Sequence, residues 1–409
     1  MQNLLINILV KTRIMMNKGK KYIFLLIFCV FLQFFYINLI NCKQGNFAFG
    51  LENDLNKIQN NDKITSAKAM ITMESNSGRI LYEKGKNKRL PMASTTKIIT
   101  AIVAIENCKN LDEKHEIPAN SIGIEGSSIY LRKNEHLSIR ELLYGLMLRS
   151  GNDSAVAIAI IIGGSVENFV KMMNDFCLSL NLKDTNLVTV NGLHDDNHYT
   201  TAYDLAIITR YALKNKIFAE IVSTNFIKIS DDNAKDKVRY LKNKNKLLSL
   251  VDGADGVKTG YTKKAGKCFV GSASRGKMQI ICVVLDCTTM FDDCAKLIEK
   301  AFSEYKMIKL FSRGNIHNFE IKNGKNLQTA PVVLNQDIYY PLSNSEINAI
   351  KAKMVLKDNL SVPLESDSEI GELEIYLEND LIFSQKVYTI NIEKIKEESY
   401  FKKILKAFW

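Results

Sequence analysis

Three short motifs in this sequence together contain the side chains needed for acyl transfer through a serine ester. In chain order they are Ser94–Lys97 (S-T-T-K), Ser150–Asn152 (S-G-N) and Lys258–Gly260 (K-T-G). They supply a nucleophilic hydroxyl, an amine that can act as its base, a second hydroxyl with an amide, and a cation that can hold a carboxylate. Each motif alone is common, but the ordered set indicates an acyl-transfer enzyme.

The first motif provides the nucleophile and its base. Ser94 and Lys97 are three residues apart, so they lie on one face of a helix. A serine at a helix start also has backbone N–H groups directed at developing negative charge. Lys97 acts as a base only when neutral, and burial beside a second cation, Lys258, is expected to lower its pKa. The structural alternative is an N-cap serine followed by a solvated lysine.

The other two motifs are expected to bind and orient a substrate. Ser150 and Asn152 follow a predicted helix, and alone this motif also fits a helix C-cap turn. Lys258 and Thr259 lie in a predicted strand, where they are suited to bind a free carboxylate. Gly260 lets another backbone approach closely, as a strand-like peptide substrate must. A polar strand beside a bulge is the structural alternative.

Hydrophobic periodicity predicts the elements that carry these motifs. The predicted helices begin near Ser94 and cover Ile139–Leu148, Asn152–Ile162, Thr201–Leu213 and Cys294–Tyr305. The predicted strands are Ala67–Met73, Arg79–Tyr82, Gly256–Tyr261, Cys268–Ser274 and Met278–Leu285. Strands at both ends with helices between them predict an α+β domain with helices packed on an antiparallel sheet.

The C-terminal part has a different pattern. From about residue 312, short alternating runs separated by turn residues predict a small all-β domain. The runs are Ile316–Ile321, Ile338–Pro341, Ile350–Lys357, Glu372–Leu377 and Ile382–Tyr388. The last stretch, 392–409, predicts an amphipathic helix with an apolar side that includes Phe401 and Phe408 and with lysines elsewhere. Such a helix can lie in a membrane interface, or it can dock on its own domain.

The N-terminus predicts export. Lysines at 18, 20 and 21 precede an uncharged, mostly apolar run, Tyr22–Ile40, which is the layout of an export signal and is also near the length of an uncleaved membrane anchor. The predicted organisation is therefore a signal peptide or anchor at 1–43, a linker at 44–64, a motif-bearing domain at 65–310, a β-rich domain at 311–391 and the terminal helix at 392–409.

Composition limits the partners. The 409 residues carry a net charge of +11, which suits anionic lipid or an acidic wall polymer. Basic residues are spread along the chain without a nucleic-acid motif, so no nucleic acid is expected. The eight cysteines lack metal-site spacing, and those in apolar runs, such as Cys282, are interpreted as small core residues. His194–His198 is interpreted as a polar loop. No metal and no cofactor are expected.

The motifs and their flanking residues resemble one enzyme family. S-x-x-K, S-x-N and K-T-G in this order are the signature of penicillin-binding proteins and serine β-lactamases. The segments Leu90–Ala101, Leu148–Ala155, Asn243–Leu248 and Gly256–Thr262 closely resemble the D-alanyl-D-alanine carboxypeptidases, the low-molecular-mass penicillin-binding proteins of serine peptidase family S11. The resemblance covers about residues 65–305 and, by architecture, continues more weakly to the C-terminus. It implies a penicillin-binding/β-lactamase-like transpeptidase domain.

The resemblance also implies residue roles in removing the terminal D-alanine from peptidoglycan pentapeptide stems. Ser94 attacks the penultimate D-alanine, Lys97 takes its proton, Ser150 relays a proton to the departing D-alanine, and Asn152 orients the substrate amide and Lys97. Lys258 and Thr259 hold the terminal carboxylate, and Gly260 and Tyr261 complete the strand of the enzyme that binds the substrate. The backbone N–H groups of Ser94 and Tyr261 form the oxyanion hole. β-Lactam antibiotics are expected as inhibitors that acylate Ser94 stably.

Three other readings stay open from the sequence. A serine β-lactamase has the same motifs but needs a carboxylate for fast deacylation, and no convincing one is found. A D,D-endopeptidase differs only in loops. A non-catalytic wall-binding module is disfavoured by intact Ser94, Lys97 and Lys258. The expected location is the extracytoplasmic face of the cytoplasmic membrane or the cell wall, with stem peptides and the membrane surface as partners.

Overall fold

The computed structural model describes residues 65–393, except for 232–233, 324–325 and 359. In the motif-bearing part, the strands are β1 (Ala69–Glu74), β2 (Ile80–Lys84), β3 (Lys114–Glu116), β4 (His136–Ser138), β5 (Phe226–Asp231), β6 (Ala234–Lys242), β7 (Ala254–Thr262), β8 (Gly266–Arg275) and β9 (Met278–Leu285). Five of them form an antiparallel sheet in the order β2-β1-β9-β8-β7. Strand β7, which carries the K-T-G motif, therefore lies at an edge of this sheet.

Helices cover both faces of the sheet. They are α1 (Lys97–Asn107), α2 (Ile139–Leu148), α3 (Asn152–Gly163), α4 (Val166–Ser179), α5 (Ala202–Leu213), α6 (Lys216–Ser223), α7 (Leu247–Leu250) and α8 (Met290–Glu304). Along β9, Ile281, Val283 and Leu285 belong to the core under α1–α6, whereas alternate residues such as Cys282 and Val284 belong to the core under α8. Because side chains alternate across a strand, a strand covered on both faces is apolar throughout.

The predicted α+β architecture is confirmed, and two predicted elements have the observed bounds, α2 and β9. Helix α8 begins at Met290, four residues before its predicted start, because Asp292 and Asp293 in its first turn favour the helix N-terminus. Helices α4 and α6 and the β5–β6 hairpin were not predicted. The charged and amide residues of α4 interrupt the apolar pattern, although Phe169, Met173 and Cys177 form a buried stripe.

The C-terminal part is a small all-β domain, as predicted. Its strands are β10 (Tyr305–Phe311), β11 (Gly314–Asn323), β12 (Asn326–Leu334), β13 (Ile338–Ser343), β14 (Ile350–Leu356), β15 (Ser368–Leu377) and β16 (Asp380–Thr389). One sheet has the order β11-β12-β16-β15-β14, and β10 pairs with β13. Sheet structure thus begins at Tyr305, ahead of the predicted boundary at 311, because β10 follows α8 directly. Side chains from several strands, among them Val332, Ile375 and Val387, form its core.

The predicted terminal segments fall almost entirely outside the described residues. These are the signal or anchor at 1–43, the linker at 44–64 and residues 394–409 of the predicted amphipathic helix. Ile392, predicted to begin that helix, is instead buried and forms a β-bridge with Leu364. Within the described ranges no single helix has the length and apolarity of a membrane span, although the bent pair α3–α4 meets the length and composition test.

Five cysteines of the motif-bearing part are buried free thiols, which confirms their interpretation as small core residues. They are Cys177, Cys268, Cys282, Cys287 and Cys294. Burial raises the pKa of Cys177 and Cys268 to about 12, so both thiols stay protonated and unreactive at neutral pH.

Candidate active site

Ser94 lies in a 3-10 turn, Ala93–Thr96, which leads directly into α1. The helix was predicted to begin near Ser94, and the structure shows one tighter turn before the α-helix starts at Lys97. The Thr95 hydroxyl donates to the Met92 carbonyl at 2.6 Å, and the Thr96 hydroxyl donates to the Ala93 carbonyl at 2.8 Å. These local bonds fix the turn, which we call the nucleophile turn, and hold Ser94 one turn from Lys97.

The Lys97 amine contacts three oxygen atoms. Its Nζ lies 2.9 Å from Ser94 Oγ, 2.7 Å from Asn152 Oδ1 and 2.5 Å from the Asn191 carbonyl oxygen. A neutral amine has two N–H groups and one lone pair. When Lys97 is neutral, the Asn152 and Asn191 oxygens, which can only accept, use both N–H groups and leave the lone pair for the Ser94 hydroxyl. This is the geometry of a general base at a serine nucleophile.

The electrostatics favour the neutral form of Lys97. Its side chain is fully buried, and burial lowers the pKa of Lys97 well below its ordinary value. The nearby ammonium groups of Lys258 and Lys244 lower it further, and the Asp153 carboxylate opposes them. The depression expected from a second cation thus has two sources, Lys258 and Lys244.

Asn152 is itself held by the loop between β3 and β4, which we call the loop before α2. Its Nδ2 donates to the Glu125 carbonyl at 2.6 Å, and its backbone N–H donates to the Ser127 carbonyl at 2.7 Å. With its Nδ2 donating, the amide presents Oδ1 to Lys97. Gly126, at φ +91°, is required here, because a Cβ at this position would lie 2.8 Å from Asn152 Nδ2.

Ser150 sits between α2 and α3 in the left-handed conformation, at φ +64°. It is buried, and its hydroxyl makes no hydrogen bond within the described part of the chain. The structure thus brings Ser94, Lys97 and Asn152 into direct contact, with Ser150 two residues from Asn152 but not bonded to Lys97. The left-handed conformation of Ser150 makes the corner between α2 and α3.

The K-T-G motif lies on edge strand β7, beside the nucleophile turn. Lys258 is buried, and its Nζ donates to the Thr259 carbonyl at 3.0 Å. Burial, with a smaller effect of the Lys244 charge, lowers the pKa of Lys258 to about 7. Tyr261 is 65% exposed, so its side chain faces solvent at the end of the motif. A cation and an open strand edge are therefore adjacent to Ser94.

Gly260 permits close packing within the chain itself. A Cβ on Gly260 would lie 3.0 Å from the Ser94 nitrogen and 3.1 Å from the Met92 carbonyl oxygen. The backbone that approaches Gly260 is the chain's own nucleophile turn, and the close approach of a substrate strand stays a prediction. This packing brings the backbone N–H groups of Ser94 and the K-T-G strand close together.

Residues 194–197 form an exposed polar loop, as the sequence predicts, whereas His198 is buried under the nucleophile turn. Its Nδ1 accepts hydrogen bonds from the backbone N–H groups of Val188 and Thr189 at 3.1 and 3.3 Å. Its Nε2 therefore carries the proton and donates to Thr96 Oγ1 at 2.8 Å. Burial lowers the pKa of His198 to about 4, so the ring is neutral and positions the turn.

Three site residues were not assigned roles from the sequence: Asn191, His198 and Lys244. Asn191 acts through its backbone carbonyl, which no residue-type pattern marks. Lys244 lies in the segment Asn243–Leu248, which carried part of the family resemblance, and its Nζ lies 3.3 Å from Ser127 Oγ. Within the described ranges, no group of three or more His, Cys, Asp or Glu side chains is arranged to hold a metal ion.

Comparison with known proteins places this geometry in a family. The profile of the D-alanyl-D-alanine carboxypeptidase family matches residues 56–289, which is more than half of the chain. The chain belongs to this family. A second profile, the C-terminal domain of penicillin-binding protein 5, matches residues 305–394. The family resemblance and the fold class predicted from the sequence are therefore confirmed.

Individual D-alanyl-D-alanine carboxypeptidases match over most of their length. DacF of Bacillus subtilis is 32% identical, over 78% of this chain and 84% of its own. DacA of Escherichia coli is 27% identical, over 83% of this chain and 86% of its own. The crystal structure of penicillin binding protein 5 from Haemophilus influenzae superposes with a TM-score of 0.69 at 28% identity, over 80% of this chain and 97% of that one. These matches confirm the serine carboxypeptidase prediction and give no support to the three alternatives.

Proposed function

We propose that this protein is a serine D,D-carboxypeptidase that removes the terminal D-alanine from peptidoglycan pentapeptide stems through an acyl-enzyme at Ser94. The observation that carries the proposal is that Nζ of buried Lys97, whose pKa is lowered by burial, lies 2.9 Å from Ser94 Oγ. A serine hydroxyl is a poor nucleophile until a base removes its proton, and Lys97 supplies that base.

In the acylation step, Ser94 Oγ bonds to the carbonyl carbon of the penultimate D-alanine while its proton passes to Lys97 Nζ. The peptide bond then breaks, and the leaving D-alanine nitrogen takes a proton from the Lys97 side, with Ser150 as the relay. The backbone N–H groups of Ser94 and Tyr261 stabilise the oxyanion. Each such donor lowers the activation free energy by about 3–4 kcal/mol. Water completes the cycle by hydrolysing the ester.

The free carboxylate of the terminal D-alanine binds Lys258 and Thr259. Protonated Lys258 supplies the charge, and the exposed edge of β7 pairs with the extended stem. A carboxylate brought to Lys258 favours the charged lysine, so substrate binding draws a proton onto this side chain. β-Lactams carry a carboxylate and a strained amide at matching positions and acylate the same serine.

The carboxylate next to Asn152 has a structural role, which supports the carboxypeptidase over a β-lactamase. The oxygens of buried Asp153 accept hydrogen bonds from the Ser128 hydroxyl and from the backbone N–H groups of Ile129 and Leu131. With these bonds in place, Asp153 fixes the loop before α2 and is not free to activate a deacylating water. A stable penicillin adduct is therefore expected.

The substrate is a wall polymer, so we place the enzyme outside the cytoplasm, at the membrane surface. The apolar run Tyr22–Ile40 and the remaining part of the predicted amphipathic stretch, 394–409, support this location. In a signal-cleaved protein, deletion of 394–409 should release the enzyme from membranes without loss of pentapeptide activity. Unchanged membrane association after the deletion would exclude this anchor.

One assay tests the reaction itself. Purified wild type should release D-alanine from a pentapeptide and form a long-lived adduct with a fluorescent penicillin, whereas Ser94→Ala should do neither. Ser249→Ala, which removes an exposed serine on α7, is the matched control and should behave as wild type. Equal D-alanine release by wild type and Ser94→Ala would refute the function, and cleavage of cross-linked stems alone would indicate an endopeptidase.

A further inference from the structure

The β5–β6 hairpin has one apolar, buried face and one exposed face of unusual composition. Ile229 and Leu241 are buried against the core. The alternate positions point outward, and four of them form what we call the hairpin face: Phe226, Lys228, Tyr240 and Lys242. In the register, Phe226 pairs with Lys242 and Lys228 pairs with Tyr240. Each strand therefore contributes one aromatic ring and one lysine to the face, and each ring lies opposite a lysine of the other strand.

The rings of Phe226 and Tyr240 form a preformed, exposed aromatic surface. Phe226 and Tyr240 are stacked with centroids 5.9 Å apart and an angle of 14° between their planes. They remain 55% and 65% exposed, although burial is the usual state of such large apolar side chains. Adjacent exposed aromatic side chains with a polar rim are typical of binding surfaces.

The opposite side of the hairpin is tied to the active site. Arg239 donates from Nε to the Ile129 carbonyl and from Nη2 to the Tyr130 carbonyl, both at 2.7 Å, and it forms an ion pair with buried Glu135. This loop is the one that Asp153 holds beside Asn152. Just past β6, the Lys244 backbone N–H donates to the Leu148 carbonyl, and Lys244 Nζ reaches Ser127. The hairpin face is thus fixed relative to the catalytic residues.

We propose that the hairpin face binds the glycan strand next to the stem being cleaved, with sugar rings on Phe226 and Tyr240 and stem carboxylates at Lys228 and Lys242. The inference rests on the proposed function. Tyr240 and Lys244 are four positions apart in the chain, a span of at most about 13 Å at strand spacing. In a pentapeptide stem, three residues lie between the sugar and the penultimate D-alanine, and they extend about 10–14 Å including the flanking bond. The distance from the rings to Lys244, whose charge acts on Lys97, is therefore no longer than about one stem.

The observations favour a wall polymer over a lipid surface. A sugar presents a flat apolar C–H face to an aromatic ring and polar groups at its edge, which suits a ring platform with a polar rim. Free stem carboxylates complement the two lysines. The two lysines would also attract an anionic lipid surface. The experiment therefore includes anionic vesicles as a competing partner.

The test compares two substrates that carry the same stem. For the full-length chain, kcat/KM for D-alanine release is measured with a free pentapeptide and with uncross-linked glycan strands that carry this pentapeptide. The variant is Phe226→Ala with Tyr240→Ala, and Leu381→Ala, which removes a similarly exposed apolar side chain at the β15–β16 turn, is the control. We expect kcat/KM on glycan to fall about five- to tenfold, mostly through KM, with pentapeptide activity unchanged.

Each outcome decides the inference. A selective loss on glycan in the double variant, absent in the control, supports it. Equal activity on glycan, or equal losses on both substrates, overturns it, the latter because the rings would then only support the site. Reduced binding to phosphatidylglycerol vesicles with unchanged glycan activity also overturns it and assigns the face to membrane. Failure of wild type on both substrates would instead refute the proposed function.

Discussion

Oδ1 of Asn152 lies 2.7 Å from Nζ of Lys97, and the same amide donates from Nδ2 to the Glu125 carbonyl. The second bond determines which end of the Asn152 amide faces the lysine. Because Oδ1 accepts an N–H from Lys97, it fixes the direction of the lysine lone pair as well as its position. The S-x-N motif therefore orients the base of the S-x-x-K motif, and the loop before α2 orients both.

Replacing Lys97 with arginine should abolish acylation even though the positive charge is retained. A guanidinium stays protonated at any accessible pH and cannot accept the Ser94 proton. We expect the acylation rate with a fluorescent penicillin to fall about 10²–10⁴-fold, the usual contribution of general base catalysis. Lys97→Met should be equally slow. Substantial activity in Lys97→Arg would show that another group serves as the base.

A carboxylate at position 152 should shift the pH dependence as well as lower the rate. In Asn152→Asp, the negative charge beside Nζ favours the protonated lysine, so the pKa of Lys97 rises. The acid limb of the kcat/KM profile should move to higher pH by the same amount. Asn152→Ala serves as the comparison, because it loses orientation without adding charge. It should lower the rate at every pH and leave the limb in place.

The charge of Lys244 should affect both the pH at which kcat/KM rises and the pH at which it falls. The profile rises as Lys97 loses its proton and falls as Lys258, with a pKa of about 7, loses the charge that binds the substrate carboxylate. The Lys244 ammonium lowers the pKa of both lysines, so Lys244→Gln should move both limbs to higher pH. Profiles of pentapeptide kcat/KM for wild type and variant measure this shift. Superimposable limbs would contradict the assigned electrostatics.

Glycine 260 should tolerate no side chain without loss of rate. Its Cβ would lie 3.0 Å from the Ser94 nitrogen, so the nucleophile turn must move by a few tenths of an ångström in Gly260→Ala. Because misplacement of about 1 Å can cost about 10²-fold, we expect roughly a tenfold loss in acylation rate. Gly276→Ala, at a turn where the added Cβ meets no atom within 4 Å, is the control for glycine removal. An unchanged acylation rate in Gly260→Ala would contradict the steric role of Gly260.

The sequence predicts the parts of this site that depend on residue type. Ser94, Lys97, Asn152 and Lys258 were found because a nucleophile, a base, an amide and a cation have recognisable side chains at motif spacing. The carbonyl of Asn191 could not be found in this way, because every residue carries the same backbone atom. Its position depends on how the segment before α5 packs on the nucleophile turn, which is a tertiary contact.

The dependence on tertiary contacts also explains which parts of the fold the sequence does not predict. The β5–β6 hairpin alternates apolar residues with lysines, but its outward Phe226 and Tyr240 obscure the pattern of one buried and one exposed face. His198 lies among acidic and amide residues that indicate a solvated loop, yet its ring is buried. Local composition describes the segment, whereas burial of one side chain depends on the distant element that covers it.

The burial of His198 should make the stability of the catalytic domain depend on pH. Its folded-state pKa of about 4 lies below the ordinary 6.5, so the unfolded chain binds the proton more tightly. Stability is therefore complete above pH 6.5 and is lost as the pH falls towards 4, by about 2 kcal/mol between pH 7 and 5. Urea unfolding of wild type and His198→Gln at both pH values measures this loss. The variant, which cannot titrate here, should lose about 2 kcal/mol less than wild type, and equal losses would show that other groups cause the acid sensitivity.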